Sequence, residues 1–272
     1  MLRKSIRSQI HLCLERNDFW ISLFLIFIFI AVNYVNNIVS YCDCDVSQMI
    51  HPMKLLMLET HNKWGFYFMQ FFPFIIVFPA GFSYIYDSNR KTHTFLIARY
   101  GIKNYYYGKL ISTFIVTFLA FMIPLFLEFI LNILTFPLNA TGDLSNAIPF
   151  NEEYIHMTKN YFMYEFWKCS PYVYTFFCLM IFSSIASAFS VFLVALSTFG
   201  IFKFRVLMFL PVYILLYILT AIGRITGLNF NYYTNICLFE SSVRFDCLYI
   251  VISFVLIIIS LFIVRYTANE VH

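Results

Sequence analysis

The sequence predicts an all-α membrane protein: six transmembrane helices, an N-terminal interfacial amphipathic helix, and a short cytoplasmic helix between spans two and three. Three observations predict it. Hydrophobic residues make up 61% of the 272 and charged residues only 12%, against about 25% charged in an ordinary soluble domain. So few polar side chains cannot cover a soluble fold of this length. The apolar residues also come in continuous runs rather than in alternation, which argues against a β-barrel. Finally, six of these runs reach or approach the ~20 residues that a helix needs to cross the hydrocarbon core. The 35 Phe and 20 Tyr suit bilayer contact and interfacial belts.

In chain order, Leu2 to Arg16 comes first. Leu2, Ile6, Ile10, Cys13 and Leu14 fall at helical spacing, with Arg3, Lys4, Arg7, Gln9 and His11 away from them, the pattern of a helix lying in the interface. Residues 1–18 are therefore expected to form an interfacial element and residues 19–272 a six-span membrane domain. A basic start before an apolar run is also how a signal peptide begins. The run from Phe19 is too long for one, however, and no A-x-A site follows it, so it is expected to be a retained span.

The spans are expected at Phe19 to Ser40, Phe66 to Tyr86, Tyr107 to Leu134, Tyr172 to Phe199, Val206 to Gly223 and Leu248 to Val264. The first carries Asn33 and Asn37 one turn apart. The second contains Pro73 and Pro79, and the third Pro124 and Glu128. Between them lie three polar segments. Tyr41 to Gly65 is the first. Thr135 to Pro171 has a turn-rich run from Pro137 to Asp143 and an aromatic stretch from Tyr154 to Trp167. Arg224 to Asp246 is rich in Asn, Tyr and Phe.

Lys and Arg set the orientation. Six spans put both termini on one side, with Arg3, Lys4, Arg7, Arg16, Arg90, Lys91, Arg99, Lys103, Lys109, Lys203, Arg205 and Arg265; the other side holds Lys54, Lys63, Lys159, Lys168, Arg224 and Arg244. Twelve against six places both termini in the cytoplasm of a multi-pass cell-membrane protein. The net charge of +4 forms no basic stripe beyond the membrane flanks, so no nucleic-acid partner is expected.

Catalytic signatures are missing. There is no G-x-x-x-x-G-K-[ST], no H-E-x-x-H and no G-x-S-x-G, so a non-enzymatic membrane subunit without its own cofactor is expected. Glu152-Glu153 is similar to the paired glutamates of intramembrane CAAX-type proteases, but the Arg those enzymes need four residues later is Met157 here. The seven cysteines include Cys42-Asp-Cys44 but no paired CxxC or HxxxH, so no metal site is expected.

Two features inside the spans invite a functional reading. A carboxylate at the bilayer centre costs about 2.5–3.5 kcal/mol on insertion scales. Glu128 is therefore expected to face a partner subunit or an outward cavity rather than lipid, as a pathway or coupling residue or as a hydrogen-bonded structural one. Ser183, Ser187, Ser190 and Ser197 make one small polar face of the fourth span. Such a face serves close helix packing or lines a polar pathway.

The most informative segment runs from Asp87 to Lys109. An acidic residue ends the second span, a helix-capable stretch from Lys91 to Ala98 follows, Arg99 closes it, Gly101 permits a turn, and Lys109 opens the third span. This order resembles the permeases of type-2 ABC exporters, which show an acidic residue, a short polar helix, Leu-x-x-Arg, a turn and a Lys. The matching residues are Asp87, Leu96, Arg99 and Lys109, with Asp87 where Glu is usual and Thr92-His93-Thr94 where a Gly often sits. The interfacial leader, the six spans and the short connection between spans four and five resemble the same family.

The resemblance implies a dimer of permease subunits. Each would rest a coupling helix in a groove of an ABC ATPase subunit that holds the ATP and Mg. It also implies ATPase-coupling roles for Asp87, Arg90, Lys91, Phe95, Leu96, Arg99 and Lys109. The exported cargo would be amphipathic or hydrophobic, an antimicrobial peptide being one candidate. The alternative is a self-contained secondary carrier or channel-like protein. That class is expected to show buried charges, broken helices in matching halves, or a repeat. One buried Glu and no visible repeat favour the exporter.

Overall fold

A computed structural model describes residues 1–46, 49, 51–59, 62–138, 163–200, 204–227, 230–237 and 247–270. All regular structure among them is helical. Residues 139–162, which contain the Glu152-Glu153 pair and most of the aromatic stretch, lie outside them, as do Lys203 and residues 238–246.

The helices are α1 (Leu2–Leu14), α2 (Asn17–Tyr41), α3 (Lys63–Ile75), α4 (Val77–Ala80), α5 (Ser83–Asn89), α6 (Thr92–Tyr100), α7 (Ile102–Thr135), α8 (Tyr164–Cys169), α9 (Pro171–Ser197), α10 (Leu210–Thr226), α11 (Tyr232–Cys237) and α12 (Leu248–Glu270). Short 3-10 turns, Pro52–Lys54 and Arg205–Phe209, precede α3 and α10. Among the described residues five helices are long and apolar enough to cross a membrane: Asn17–Tyr41, Ile102–Thr135, Pro171–Ser197, Arg205–Thr226 and Leu248–Asn269. A sixth stretch passes the same test only as a pair, Lys63–Ala80 and Ser83–Asn89, bent by 45° at the break. Pro73 and Pro79 lie inside this stretch; each removes a helix hydrogen bond and crowds the preceding turn.

The termini of local elements follow ordinary rules. Asn62 caps α3 by accepting from the Trp64 N–H at 2.9 Å, and Ser170 caps α9 just before Pro171 at its first position. The fifth apolar run, expected from Val206, opens instead as the 3-10 turn and becomes α-helical at Leu210, where Pro211 needs no intrahelical donor.

α9 lies at the centre: 78% of its most apolar window is buried inside the fold, against 28% for the corresponding window of α12. It packs along α7 on one side and α12 on the other. Midway, Phe68 and Phe72 of α3, Phe121 of α7 and Phe182 of α9 form one ring cluster with centroids 5.3–6.5 Å apart, an edge-to-face and tilted arrangement that aromatic quadrupoles favour. At one end Tyr105, Tyr106 and Leu110 meet Val191, Val194 and Ala195 of α9 and Val264 and Ala268 of α12. This end also holds α1 and α6; we call it the basic end. The opposite, far end is closed by segment 51–59.

α1 corrects the expected pattern. Its buried residues are Ser5, Gln9 and Cys13; of the apolar row read from the spacing only Cys13 is among them, with Ile6 and Ile10 half-buried and Leu2 and Leu14 exposed. Gln9 is at the interior because α1 packs on α7 rather than only on a membrane surface. Its Nε2 donates to the Tyr105 carbonyl and to Ser5 Oγ, both at 3.0 Å, and its Oε1 accepts from Ser112 at 3.4 Å. Gly108 makes this approach possible: a Cβ there would stand 2.6 Å from Ser5 Oγ.

Candidate functional site

The site begins with a backbone feature. Lys91 adopts a left-handed conformation with φ +56 and Gly101 has φ +84, so the chain turns sharply at both ends of α6. The short helix runs from Thr92 to Tyr100, shifted from the expected Lys91–Ala98, because the break falls on Lys91 itself and Tyr100 still packs inward. Positive φ costs a lysine on the order of 1 kcal/mol or more, so the surrounding structure must hold this turn.

Asp87 does so. Buried to 2% exposure, its Oδ2 sits 2.5 Å from the Lys109 ammonium and accepts from the Tyr105 hydroxyl at 3.0 Å. Its Oδ1 accepts from the Arg16 guanidinium at 3.0 Å. Its backbone carbonyl meets Thr92 Oγ1 at 3.3 Å and His93 Nδ1 at 3.4 Å, at the start of α6. The Asp87 carboxylate thus ties the connection after α1 and the first turns of α7 to the end of α5, and its backbone carbonyl adds the start of α6. A buried ion pair is costly to break from one side, about 3–5 kcal/mol.

Tyr86 extends the cluster. Arg16 lies 4.6 Å and Arg205 3.8 Å from its ring centroid, and Arg205 also donates to its hydroxyl at 2.7 Å. Arg205 leads into α10, so the cluster reaches that helix as well.

Of the seven residues expected to couple to an ATPase, the structure joins Asp87 and Lys109 directly. Leu96 is half-buried against the Tyr105–Leu110 core. Arg90, Lys91 and Arg99 remain exposed around α6, Arg99 with its guanidinium 5.4 Å from the Tyr100 ring. Phe95 is 75% exposed. A groove of about 630 Å³ runs beside α6, with Leu12, Arg16, Asp87, Arg90, Phe95 and Leu96 in its walls. Sequence reasoning missed Arg16, Tyr105 and Gln9. Arg16 was visible only as one more topology-setting charge, although a buried Asp87 required more than one donor.

The far end carries a second polar cluster, built on Glu128. The carboxylate is 1% exposed, and its Oε1 accepts from Asn33 Nδ2 at 2.7 Å and from the Met57 N–H at 2.8 Å. Asn33 and Asn37 both donate to the Leu55 carbonyl, at 3.0 and 2.7 Å, and Asn62 Nδ2 donates to Asn33 Oδ1 at 2.6 Å. Together these groups hold the irregular segment 51–59 inside the bundle, where Met53, Leu56, Met57 and Leu58 are buried. Glu128 therefore faces neither lipid, nor an open cavity, nor a free subunit surface. Its partners come from a segment whose backbone groups have no helix of their own to satisfy them.

In the same segment burial pushes the His51 imidazole down to about pH 4 as its titration point, with Lys54 adding to the shift. Neutral His51 then accepts from the Met53 N–H at 3.2 Å.

Ser183, Ser187 and Ser190 are fully buried. Ser183 and Ser187 donate to carbonyls one turn back within α9, and Ser190 accepts from Thr117 Oγ1 of α7 at 3.1 Å. Ser190 thus meets α7 through Thr117, and Ser183 lies 3.9 Å from Met122 Sδ of the same helix. Among the described residues no group of three His, Cys, Asp or Glu side chains could hold a metal ion. Comparison with protein-family models, curated proteins and solved structures finds no match to this chain.

Proposed function

We propose that the chain is the membrane-spanning subunit of an ATP-binding-cassette exporter. In this reading the bent pair counts as one of six spans, both termini are cytoplasmic, and the basic end faces the cytoplasm. A second permease subunit, the same chain or a related one, completes the membrane part, and a separate ABC ATPase supplies ATP hydrolysis. The cargo is amphipathic or hydrophobic, with an antimicrobial peptide as the first candidate to try.

One observation carries this reading. α6 is a short helix turned sharply at both ends and tied through Asp87 to the connection between α1 and α2, to α5 and to α7, yet it presents an apolar ring, Phe95, to solvent beside Arg99. Aromatic and Arg side chains are the usual anchors of protein interfaces. A helix so braced can pass a push from a bound subunit to α5, to α7 and, through Arg16, to the start of α2. A self-contained carrier would use Glu128 as its working charge, but that group is engaged in holding segment 51–59.

The test is the hold on the ATPase. Phe95→Asp and Arg99→Glu should leave the chain folded in the membrane while weakening association with the ATPase at least tenfold, the loss typical of an interface anchor. Normal pull-down and normal cargo-stimulated ATP hydrolysis in both variants would remove α6 from this role.

A further inference from the structure

We propose that the groove between α1 and α6 binds the phosphate of an anionic phospholipid. The groove holds about 730 Å³, within the range of about 300–1,000 Å³ typical of small-ligand sites. Lys4, Arg7 and His11 line it from α1 and Arg99 from α6, with Ser8 and Tyr100 between them, and no carboxylate is in its wall. Positions 4, 7, 8 and 11 are one face of a helix, so the three α1 groups and Ser8 point the same way.

Of the four basic groups only His11 is in an ion pair, with Glu15. The ion pairs among the described residues are His11–Glu15, Arg16–Asp87 and Lys109–Asp87; Lys4, Arg7 and Arg99 take no part in them. Three like charges around one groove repel one another unless an anion enters. The first turn of α1 adds to the field, because Met1 and Lys4 line the groove and the helix start has no side-chain cap. The Lys4 and Ser5 N–H groups are bonded to the Met1 carbonyl, so it is the helix dipole that adds a partial positive charge at this end.

Membrane geometry names the source of the phosphate. Only Glu15 and Arg16 separate α1 from the first long apolar helix, so α1 lies at headgroup depth. Leu2 and Leu14 are exposed on the same helix and can rest among acyl chains while Lys4 and Arg7 reach the headgroup, as amphipathic interfacial helices do. The inference does not depend on transport or on an ATPase; it needs only the chain in a bilayer.

The test uses the purified chain in nanodiscs of phosphatidylcholine with a minor share of phosphatidylglycerol, and native mass spectrometry to count retained lipids. Wild type should retain phosphatidylglycerol selectively. Lys4→Ser/Arg7→Ser should lower that retention about 25-fold, roughly fivefold for each cation near a membrane surface. Both side chains are exposed and Arg99 is left intact, so folding and the proposed docking face are spared. Lys103→Ser/Arg265→Ser, which removes two exposed cations outside the groove, should leave retention unchanged. Equal retention in the groove variant, or an equal loss in the control variant, overturns the site in favour of diffuse charge. Inorganic phosphate binding in pure phosphatidylcholine, with the lipid excluded, overturns the lipid assignment in favour of a soluble phosphate ligand.

Discussion

Replacing Asp87 with Asn removes one charge while keeping the volume, so the effect reads the ion cluster and little else. Lys109 is 1% exposed and would be left facing an amide, with no water to solvate it. The Arg16 side chain is 18% exposed and keeps the Tyr86 ring 4.6 Å away, so it loses less. Stranding one buried charge costs about 3–5 kcal/mol, and most of that should come from Lys109. The double variant Asp87→Asn/Lys109→Met removes the stranded charge and should be less destabilised than Asp87→Asn alone, by about 2 kcal/mol or more. The assay is reversible unfolding in detergent micelles for wild type, both single variants and the double variant, with hydrogen exchange to localise the change. Exchange should quicken in α1 and α6 before the α7–α9 contact. An Asp87→Asn variant within about 0.5 kcal/mol of wild type, the usual effect of a surface change, or a strictly additive cycle, would refute the clamp.

Other expectations follow from the same geometry. Gly108→Leu should lift α1 from α7, because even a Cβ collides with Ser5 Oγ; the cost should be about 1–3 kcal/mol, seen as faster proteolysis near Gln9. Glu128→Gln keeps an oxygen for Asn33 and the Met57 N–H and should be nearly neutral. Glu128→Leu strands both donors, at about 1–3 kcal/mol each, and should expose segment 51–59 to protease; equal protection in the two variants would contradict the latch. The unfolded His51 imidazole titrates near 6.5 and the folded one near 4. Between those values the unfolded state binds more protons, so stability contributed by neutral His51 is present above pH 6.5 and is lost as the pH falls toward 4. Fluorescence of Trp167, whose ring centroid is 5.9 Å from His51, should drop with a midpoint near 4, and His51→Gln should abolish the transition.

How much of this was legible in the sequence depended on the range of the interaction. Long apolar runs need no partner to be recognised, and five of the six expected spans correspond to single helices long enough to cross a membrane. The second is instead a pair of stretches bent by 45° between Ala80 and Ser83, a break that the apolar run itself does not show. Asp87 and Lys109 stood out through their order around a short helix, and they do pair. Arg16 did not, because it lies 71 residues from Asp87 and periodicity carries no information about such pairs. Gln9 was misplaced for a related reason: spacing assigns polar side chains to water unless a carbonyl or hydroxyl on another helix is known to await them. Glu128 was visible as an anomaly, but its orientation was set by segment 51–59, which has no periodic signal at all. The serine face of α9 left packing and pathway open, and the Thr117–Ser190 bond shows α9 meeting α7 at one of these positions.

The central claim, that this chain is driven by a separate ATPase held at α6, is tested most directly by gentle purification from its native membrane. Co-purified chains would be identified by mass spectrometry and ATP hydrolysis measured on the same sample. The account predicts a stoichiometric second chain carrying a P-loop, hydrolysing ATP, and lost from the preparation when Phe95 is changed to Asp. A chain that purifies alone, with no ATP hydrolysis, and still moves cargo in sealed vesicles without ATP would contradict it.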